Sequence, residues 1–158
     1  ATNKNLSRVV EAIKNINCHL DIIGRLDEVP NELNRIKEYN IDYSSYFALE
    51  QKQLVEKYSE TDILVFVSTY EGFGVPILEA QSMGIPVITS NISPMIEVSG
   101  GCAVLVNPYE VEEIKNAINK IINDDAYREN LIQKGIENAK KYHPENIAGM
   151  FEDIYSKF

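Results

Sequence analysis

Apolar residues follow two patterns that alternate along the chain. Residues 6–16 carry apolar side chains at every third or fourth position, the spacing of one helix face, and residues 19–23 form a short, largely apolar run typical of a strand. Asn5 or Ser7 is a candidate cap for the helix. Repetition of the two patterns predicts a parallel sheet, because successive parallel strands need crossover segments, which are usually helices.

The same reasoning assigns elements to the rest of the chain. It predicts helices over residues 32–39, 51–58, 75–83, 94–98, 112–122, 127–141 and 144–158, and strands over 45–48, 63–67, 87–89 and 103–106. The predicted fold class is α/β, a Rossmann-like three-layer domain with a parallel sheet flanked by helices. The strand that normally opens such a sheet is missing before the first helix.

The segment from Ser68 to Ala80 places a glycine-rich loop between a predicted strand and a predicted helix. Gly72 and Gly74 supply backbone freedom and close approach, and Pro76 suits the first turn of a helix because its missing N–H would be unpaired there. The start of a helix offers unpaired N–H groups and a partial positive charge. The segment can therefore receive a phosphate group without a basic side chain.

The charge pattern around this segment narrows the choice of ligand. No Lys or Arg lies between Lys57 and Lys115, whereas eight Asp and Glu residues do, so an anion bound by this stretch must use backbone groups. Glu71 and Glu79 are acceptors for hydroxyl hydrogens. Amides for phosphate and carboxylates for hydroxyls fit a nucleotide-sugar better than nucleic acid. The alternative is that Glu71 is a loop charge and Glu79 a solvated helix residue.

Composition agrees with one soluble-type domain. The chain has 158 residues, 44% hydrophobic and 25% charged, so we expect a single domain over residues 1–158. Its net charge of −9 argues against nucleic acid and an anionic membrane surface as partners of this piece. Cys18 and Cys102 have no metal-type spacing, and we interpret both as reduced core residues of a cytoplasmic protein. His19 and His143 are interpreted as structural, and Arg25 as a surface side chain that could approach phosphate.

The spacing from Glu71 to Glu79 matches the Glu-x7-Glu motif of retaining glycosyltransferases of family 4. Similar strings surround it, at residues 71–76, 79–80, 84–88, 97–98 and 106–108. The chain resembles that family from Lys4 to Tyr155, as the C-terminal, donor-binding domain. The resemblance implies one half of a GT-B enzyme, in which two Rossmann-like domains enclose the active site, with the N-terminal, acceptor-binding domain absent from this chain.

The resemblance also implies a role for each site residue. Glu71 would contact the donor hexose and Lys4 the diphosphate, and these two are the candidate catalytic residues, although we do not assign Glu71 as a nucleophile. Glu79 would accept both ribose hydroxyls. The family's arginine ahead of the lysine would fall before Ala1. The donor-binding set is Lys4, Glu71, Gly72, Phe73, Gly74, Val75 and Glu79.

The reaction implied is transfer of a hexose from a nucleotide diphosphate sugar to an acceptor hydroxyl with retention, in surface or extracellular polysaccharide synthesis. No cofactor and no metal are expected, and the isolated domain should be inactive without its acceptor domain. Peripheral association of a full-length enzyme with the inner face of a membrane stays open. The alternatives are an epimerase or phosphorylase-like GT-B domain, and a non-catalytic nucleotide-binding Rossmann module.

Overall fold

The computed structural model describes residues 4–143 and 145–146. The helices are α1 (Leu6–Ile13), α2 (Pro30–Glu38), α3 (Gln51–Ser59), α4 (Val75–Ser82), α5 (Met95–Ser99), α6 (Val111–Asn123) and α7 (Asp125–Lys140), with a short 3-10 helix at Leu26–Glu28. The strands are β1 (His19–Ile23), β2 (Asp42–Tyr46), β3 (Leu64–Phe66), β4 (Val87–Ser90) and β5 (Val104–Val106). The α/β class predicted from the sequence is confirmed.

The strands pair in parallel and form two groups within the described residues. β1 pairs with β2, and β4 lies between β3 and β5. A doubly wound sheet has the strand order 3-2-1-4-5-6, so omitting its first strand leaves the groups 3-2 and 4-5-6. The strand pairs of the described residues follow this pattern.

Helices cover both faces of the three-stranded sheet. Along residues 63–67, the side chains of Ile63, Val65 and Val67 pack into a cluster with α1 and α6. Leu64 and Phe66 pack into a second cluster with residues of α3, α4 and α5. This alternation places apolar side chains on both sides of the strand, as a parallel sheet with two covered faces requires.

α1 ends at Ile13 although its apolar pattern extends to residue 16, and the bounds of β2 and α2 differ from the predictions for physical reasons. β2 was predicted at residues 45–48 but lies at Asp42–Tyr46, because it is a polar strand with no apolar run to mark it, and Ala48 has a left-handed φ of 53° that ends extended structure. α2 begins at Pro30, two positions before the predicted start, because proline occupies the first helical turn. From α3 to α7 each predicted helix bound lies within two residues of the observed one.

The remaining segment predictions concern the two ends of α7 and the C-terminal region. The connection between α6 and α7 is short, and the carboxylate of Asp124 accepts a hydrogen bond of 2.9 Å from the Tyr127 N–H and caps α7. The predicted helix over residues 144–158 lies outside the described residues. Within residues 4–143 and 145–146, no helix has both the length and the apolar character needed to span a bilayer.

Candidate functional site

The site lies at the carboxyl edge of the three-stranded sheet, where β3 runs through the loop of residues 67–74 into α4. Asn5 fastens the start of α1 to this edge: its Nδ2–H groups donate to Val67 O at 3.0 Å and Pro108 O at 2.6 Å, just beyond β3 and β5. Its side chain is therefore not the predicted helix cap, although Asn5 occupies the N-cap position. These bonds place the neighbouring Lys4 beside the glycine-rich loop.

Gly74 is the N-cap of α4 and needs to be glycine, because its φ is 101° and an added Cβ would lie 3.2 Å from Ile77 Cδ1. Gly72 differs: its φ is not in the left-handed region, and an added Cβ would meet no atom within 4 Å. A left-handed φ therefore favours glycine at Gly74 but not at Gly72, and the expected close approach of a ligand to these two residues stays a prediction. The open space beside Gly72 leaves room for a ligand to approach the backbone.

The start of α4 provides backbone donors without competition from a side-chain cap. The N-cap glycine has no side chain, Pro76 has no N–H, and the Ile77 N–H bonds back to Gly74 O at 3.0 Å. The first N–H groups of a helix have no hydrogen-bond partner within the helix. The N–H groups near Gly74 and Val75 are therefore available to a ligand at the site. Phe73 and Val75 are exposed on this surface, with 45% and 51% of their area accessible.

Lys4 and Glu71 meet in the site. Lys4 Nζ lies 2.7 Å from Glu71 Oε1 and 4.9 Å from the centre of the Phe66 ring. The Glu71 side chain is only 14% exposed, whereas that of Lys4 is 53% exposed. The pair supplies one cation and one carboxylate at the mouth of the loop, and the cation partly offsets the acidic character of the surrounding chain.

Glu79 lies on the second turn of α4 and is half-buried. The Tyr58 hydroxyl at the end of α3 donates to Glu79 Oε2 at 2.8 Å. Burial raises the pKa of the Tyr58 phenol, and the neighbouring Glu79 raises it further, so the phenol remains a neutral donor. One oxygen of Glu79 is thus already bonded within the protein.

The loop and α4 are braced by α7. The rings of Phe73 and Tyr142 meet edge to face with centroids 6.2 Å apart. Deeper inside, buried Asn138 on α7 donates to Gln81 Oε1 on α4 and to Val98 O, each at 2.9 Å. These contacts hold the site-bearing helix against its neighbours.

The other candidate side chains have structural partners. Arg25 forms ion pairs with Asp27 and Glu28 beyond β1, on the wall of a shallow cavity that Phe47 also lines. His19 Nδ1 lies 2.8 Å from Asp42 Oδ2 across the β1–β2 pair, which agrees with its structural interpretation. Within the part of the chain that is described, no three His, Cys, Asp or Glu residues are grouped to hold a metal ion.

The cysteines and the remaining histidine also lie outside the site. Cys18 and Cys102 are both unpaired thiols, as predicted, and each is partly buried. Burial raises the pKa of the Cys18 thiol. His143 lies just after α7, exposed at the surface.

The loop, the helix start and the charged residues were predicted from the sequence, whereas the supporting side chains were not. Asn5 was considered only as a cap, and Tyr58 was not considered. The bonds of Asn5 reach residues 62 and 103 positions away, and that of Tyr58 reaches Glu79 21 positions away.

Comparisons with known proteins give the family. Residues 1–138 match the profile of the family described as glycosyl transferases group 1. The chain is 39% identical over 98 residues to O-antigen chain mannosyltransferase B of Escherichia coli, covering 62% of this chain and 26% of that protein. It is 31% identical over 160 residues to the capsular polysaccharide biosynthesis glycosyltransferase CapM of Staphylococcus aureus, covering 92% of this chain and 39% of that protein. The chain thus spans well under half of these relatives.

A solved structure agrees with the sequence match. Anabaena HepE, in complex with UDP and glucose, matches with a TM-score of 0.85 and 20% identity over 100% of this chain and 46% of that one. At this identity the likeness shows a shared fold, which is the GT-B type. The chain belongs to the glycosyl transferases group 1 family.

Proposed function

We propose that this chain is the donor-binding domain of a retaining family 4 glycosyltransferase, which moves a hexose from a nucleotide diphosphate sugar to an acceptor hydroxyl. The observation that carries the proposal is the arrangement of the Lys4–Glu71 pair beside the uncapped start of α4, with Glu79 one turn further along that helix. Relatives named for O-antigen and capsular polysaccharide synthesis support a role in surface or extracellular polysaccharides.

The diphosphate is assigned to the start of α4. The N–H groups of Phe73, Gly74 and Val75 would donate to its oxygens, and the Lys4 ammonium would add a positive charge. Negative charge builds on the diphosphate as the bond to the sugar breaks, so these groups stabilise the leaving group more than they stabilise the bound donor. Lys4 is bonded to Glu71, and donor binding would share or replace that bond.

The hydroxyl groups of the donor are assigned to the two glutamates. Glu71 would accept from the hexose and Glu79 from the ribose, because an ionised carboxylate can only accept hydrogen bonds. Gly72 would let the sugar approach the loop backbone, since the space beside it is open. UDP and glucose in the related Anabaena structure are in keeping with a ligand of this class.

The rest of the enzyme is proposed to lie in an N-terminal, acceptor-binding domain. Closure of that domain over the site would exclude water and bring the acceptor hydroxyl to the sugar. The donor site is proposed to work without a metal or cofactor, because backbone amides and Lys4 supply the charge stabilisation. It follows that the isolated chain should transfer little or no sugar.

The test is calorimetric titration of the chain with UDP, GDP and ADP and with their hexose conjugates. We expect at least one nucleoside diphosphate to bind, and binding to persist in EDTA. Glu79→Gln should weaken that binding about 10-fold, the cost of one hydrogen bond to a charged group. The matched control is Glu129→Gln on α7, an exposed carboxylate that also accepts one hydrogen bond, from Gln133 at 2.7 Å.

Three outcomes would each contradict a part of the proposal. Absence of binding to every nucleotide would favour a module without donor chemistry. Equal affinity of the Glu79→Gln variant and the parent would remove the ribose assignment. Efficient sugar transfer by the isolated chain would contradict the need for an acceptor domain.

A further inference from the structure

Glu79 accepts a hydrogen bond from a tyrosine that is held in the protein core. The Tyr58 side chain is 8% exposed and packs among apolar residues of α4, including Ile77 and Ala80, while its hydroxyl reaches Glu79 Oε2 at 2.8 Å. We propose that Tyr58 is a positioning residue, which fixes the Glu79 carboxylate so that the site selects ribonucleotides over deoxyribonucleotides. This inference rests on the proposed function, since it assigns Glu79 to the ribose.

The geometry gives Tyr58 control over the orientation of a flexible side chain. A glutamate on a helix surface samples several rotamers, and ordering it for a ligand has an entropic cost. The phenol is attached to a ring held in the core beside α4, so its bond to Oε2 restricts the carboxylate before any ligand arrives. Oε1 and the remaining lone pair of Oε2 are then presented in one arrangement to a pair of hydroxyls.

The hydrogen-bonding roles of Tyr58 and Glu79 also determine which ligand groups can bind. Burial, with Glu79 as the second cause, raises the pKa of the phenol, which therefore keeps its proton and donates. Glu79 is consequently an acceptor toward both the protein and the ligand. A ribose offers two neighbouring hydroxyl donors, whereas a 2′-deoxyribose offers one, so a fixed carboxylate loses a hydrogen bond with the second sugar.

The competing explanation is that the bond only fastens α3 to α4. A purely structural bond would affect all ligands equally, because it would disturb the helix rather than the ribose contact. The readout that separates the two is the ratio of affinities for a ribonucleotide and its 2′-deoxy counterpart.

The chain contains a matched control for this bond. Tyr39 donates to Glu11 Oε2 at 2.7 Å, between the end of α2 and α1, in a partly buried pair outside the site. Tyr39→Phe and Tyr58→Phe each remove one phenol-to-carboxylate hydrogen bond and keep the ring. A loss shared by both variants therefore reports general destabilisation, and a loss confined to Tyr58→Phe reports the site.

The experiment is calorimetric titration of the parent and both variants with UDP, GDP and ADP and with the 2′-deoxy form of each. We expect the parent to prefer the ribonucleotide about 10-fold, as one hydrogen bond to a charged group would give. Tyr58→Phe should lower ribonucleotide affinity about 5-fold, change 2′-deoxy affinity by less than about 2-fold, and so shrink the preference. Tyr39→Phe should leave both affinities unchanged.

The outcomes separate the positioning role of Tyr58 from the proposed function on which it rests. An unchanged ratio in Tyr58→Phe, whether both affinities fall together or neither moves, overturns the positioning role and leaves the proposed function standing. A parent that binds a nucleotide but shows no ribose preference also overturns the positioning role. A parent that binds no nucleotide overturns the proposed function and this inference with it. Thermal melting of both variants identifies any loss of fold.

Discussion

Lys4 Nζ and Glu71 Oε1 lie 2.7 Å apart, so the residue just before α1 and the glycine-rich loop form one ion pair across 67 positions of sequence. Both residues were assigned to the same ligand from sequence motifs alone. Their pairing means that each neutralises the other when no ligand is present. The positive charge that Lys4 offers to a bound diphosphate therefore depends on how strongly Lys4 stays paired with Glu71.

Removal of the Lys4 charge and removal of the Glu71 charge should change the affinity for a diphosphate in opposite directions. Lys4→Met should lower the affinity for a nucleoside diphosphate about 10-fold and leave that for the plain nucleoside unchanged, because the lost interaction is with phosphate. Glu71→Gln should raise diphosphate affinity several-fold, because a nearby negative charge is removed. The same variant should lose the extra affinity that a hexose adds. Calorimetric titration with a nucleoside, its diphosphate and its diphosphate sugar measures the three affinities.

Lys14→Met is the control for the loss of a lysine, since Lys14 is paired with Glu11 on α1 and has a comparable exposed fraction. It should change no affinity. The Lys4→Met effect should also shrink in 0.5 M salt, because the Lys4 side chain is half exposed. A Lys4→Met variant that binds nucleoside and diphosphate as the parent does would contradict the assignment of Lys4 to phosphate.

Substitutions at the two loop glycines should have different effects, one on the stability of the fold and the other on ligand binding. Gly74→Ala forces an L side chain into a φ of 101° and against Ile77, and should destabilise the fold by about 1–3 kcal/mol in urea unfolding. Gly72→Val places its side chain in open space and should leave the unfolding free energy within about 0.5 kcal/mol of the parent. We expect Gly72→Val nevertheless to weaken binding of the diphosphate sugar.

A bulky residue at position 74 would not report on ligand binding alone. A loss of binding in Gly74→Val would confuse a steric block with local unfolding, because the backbone there is already in a glycine conformation. Normal binding of the diphosphate sugar by a folded Gly72→Val variant would show that the ligand does not approach the loop at this position.

Much of the site was predictable because its signals are local. The glycine loop, Pro76 and the run after it give the strand, turn and helix start within a few residues, and the structure has α4 beginning at Val75. Asn5, Tyr58 and Asn138 were not predicted as supports, because their hydrogen bonds join residues 21 to 103 positions apart. β2 was misplaced because a polar strand has no periodic apolar signal.

The His19–Asp42 contact should make stability depend weakly on pH. The hydrogen bond to Asp42 raises the pKa of His19 above its usual 6.5, so its stabilisation is present in full below the unfolded pKa and is lost as pH rises through the folded pKa. Between pH 6 and pH 8, the parent should therefore lose melting temperature relative to His19→Gln. The imidazole is 45% exposed, so the difference should not exceed about 2 °C. Melting temperatures that change with pH by the same amount in the two proteins would contradict this prediction.

Gly100 and Asn138 are coupled through one contact behind the site. A Cβ at Gly100, whose φ is 60°, would lie 2.0 Å from Asn138 Oδ1, and the Asn138 side chain is fixed by its bonds to Gln81 and Val98. Gly100→Ala should therefore cost about 2–4 kcal/mol of unfolding free energy, through strain and displacement of a buried amide. Asn138→Ala alone should cost about 2–3 kcal/mol, because Gln81 Oε1 and Val98 O lose their shared donor.

The double variant tests the coupling. Once Asn138 is alanine, the alanine methyl at position 100 has no amide to displace, and only the left-handed backbone at Gly100 still opposes it. Gly100→Ala should then cost about 1 kcal/mol, so the two single losses should exceed the double loss by about 1–3 kcal/mol in urea unfolding. Additive losses would mean that Asn138 moves aside freely. The hydrogen bond from Asn138 to Gln81 would then not hold α4, and the brace between α7 and the site-bearing helix would consist of packing alone.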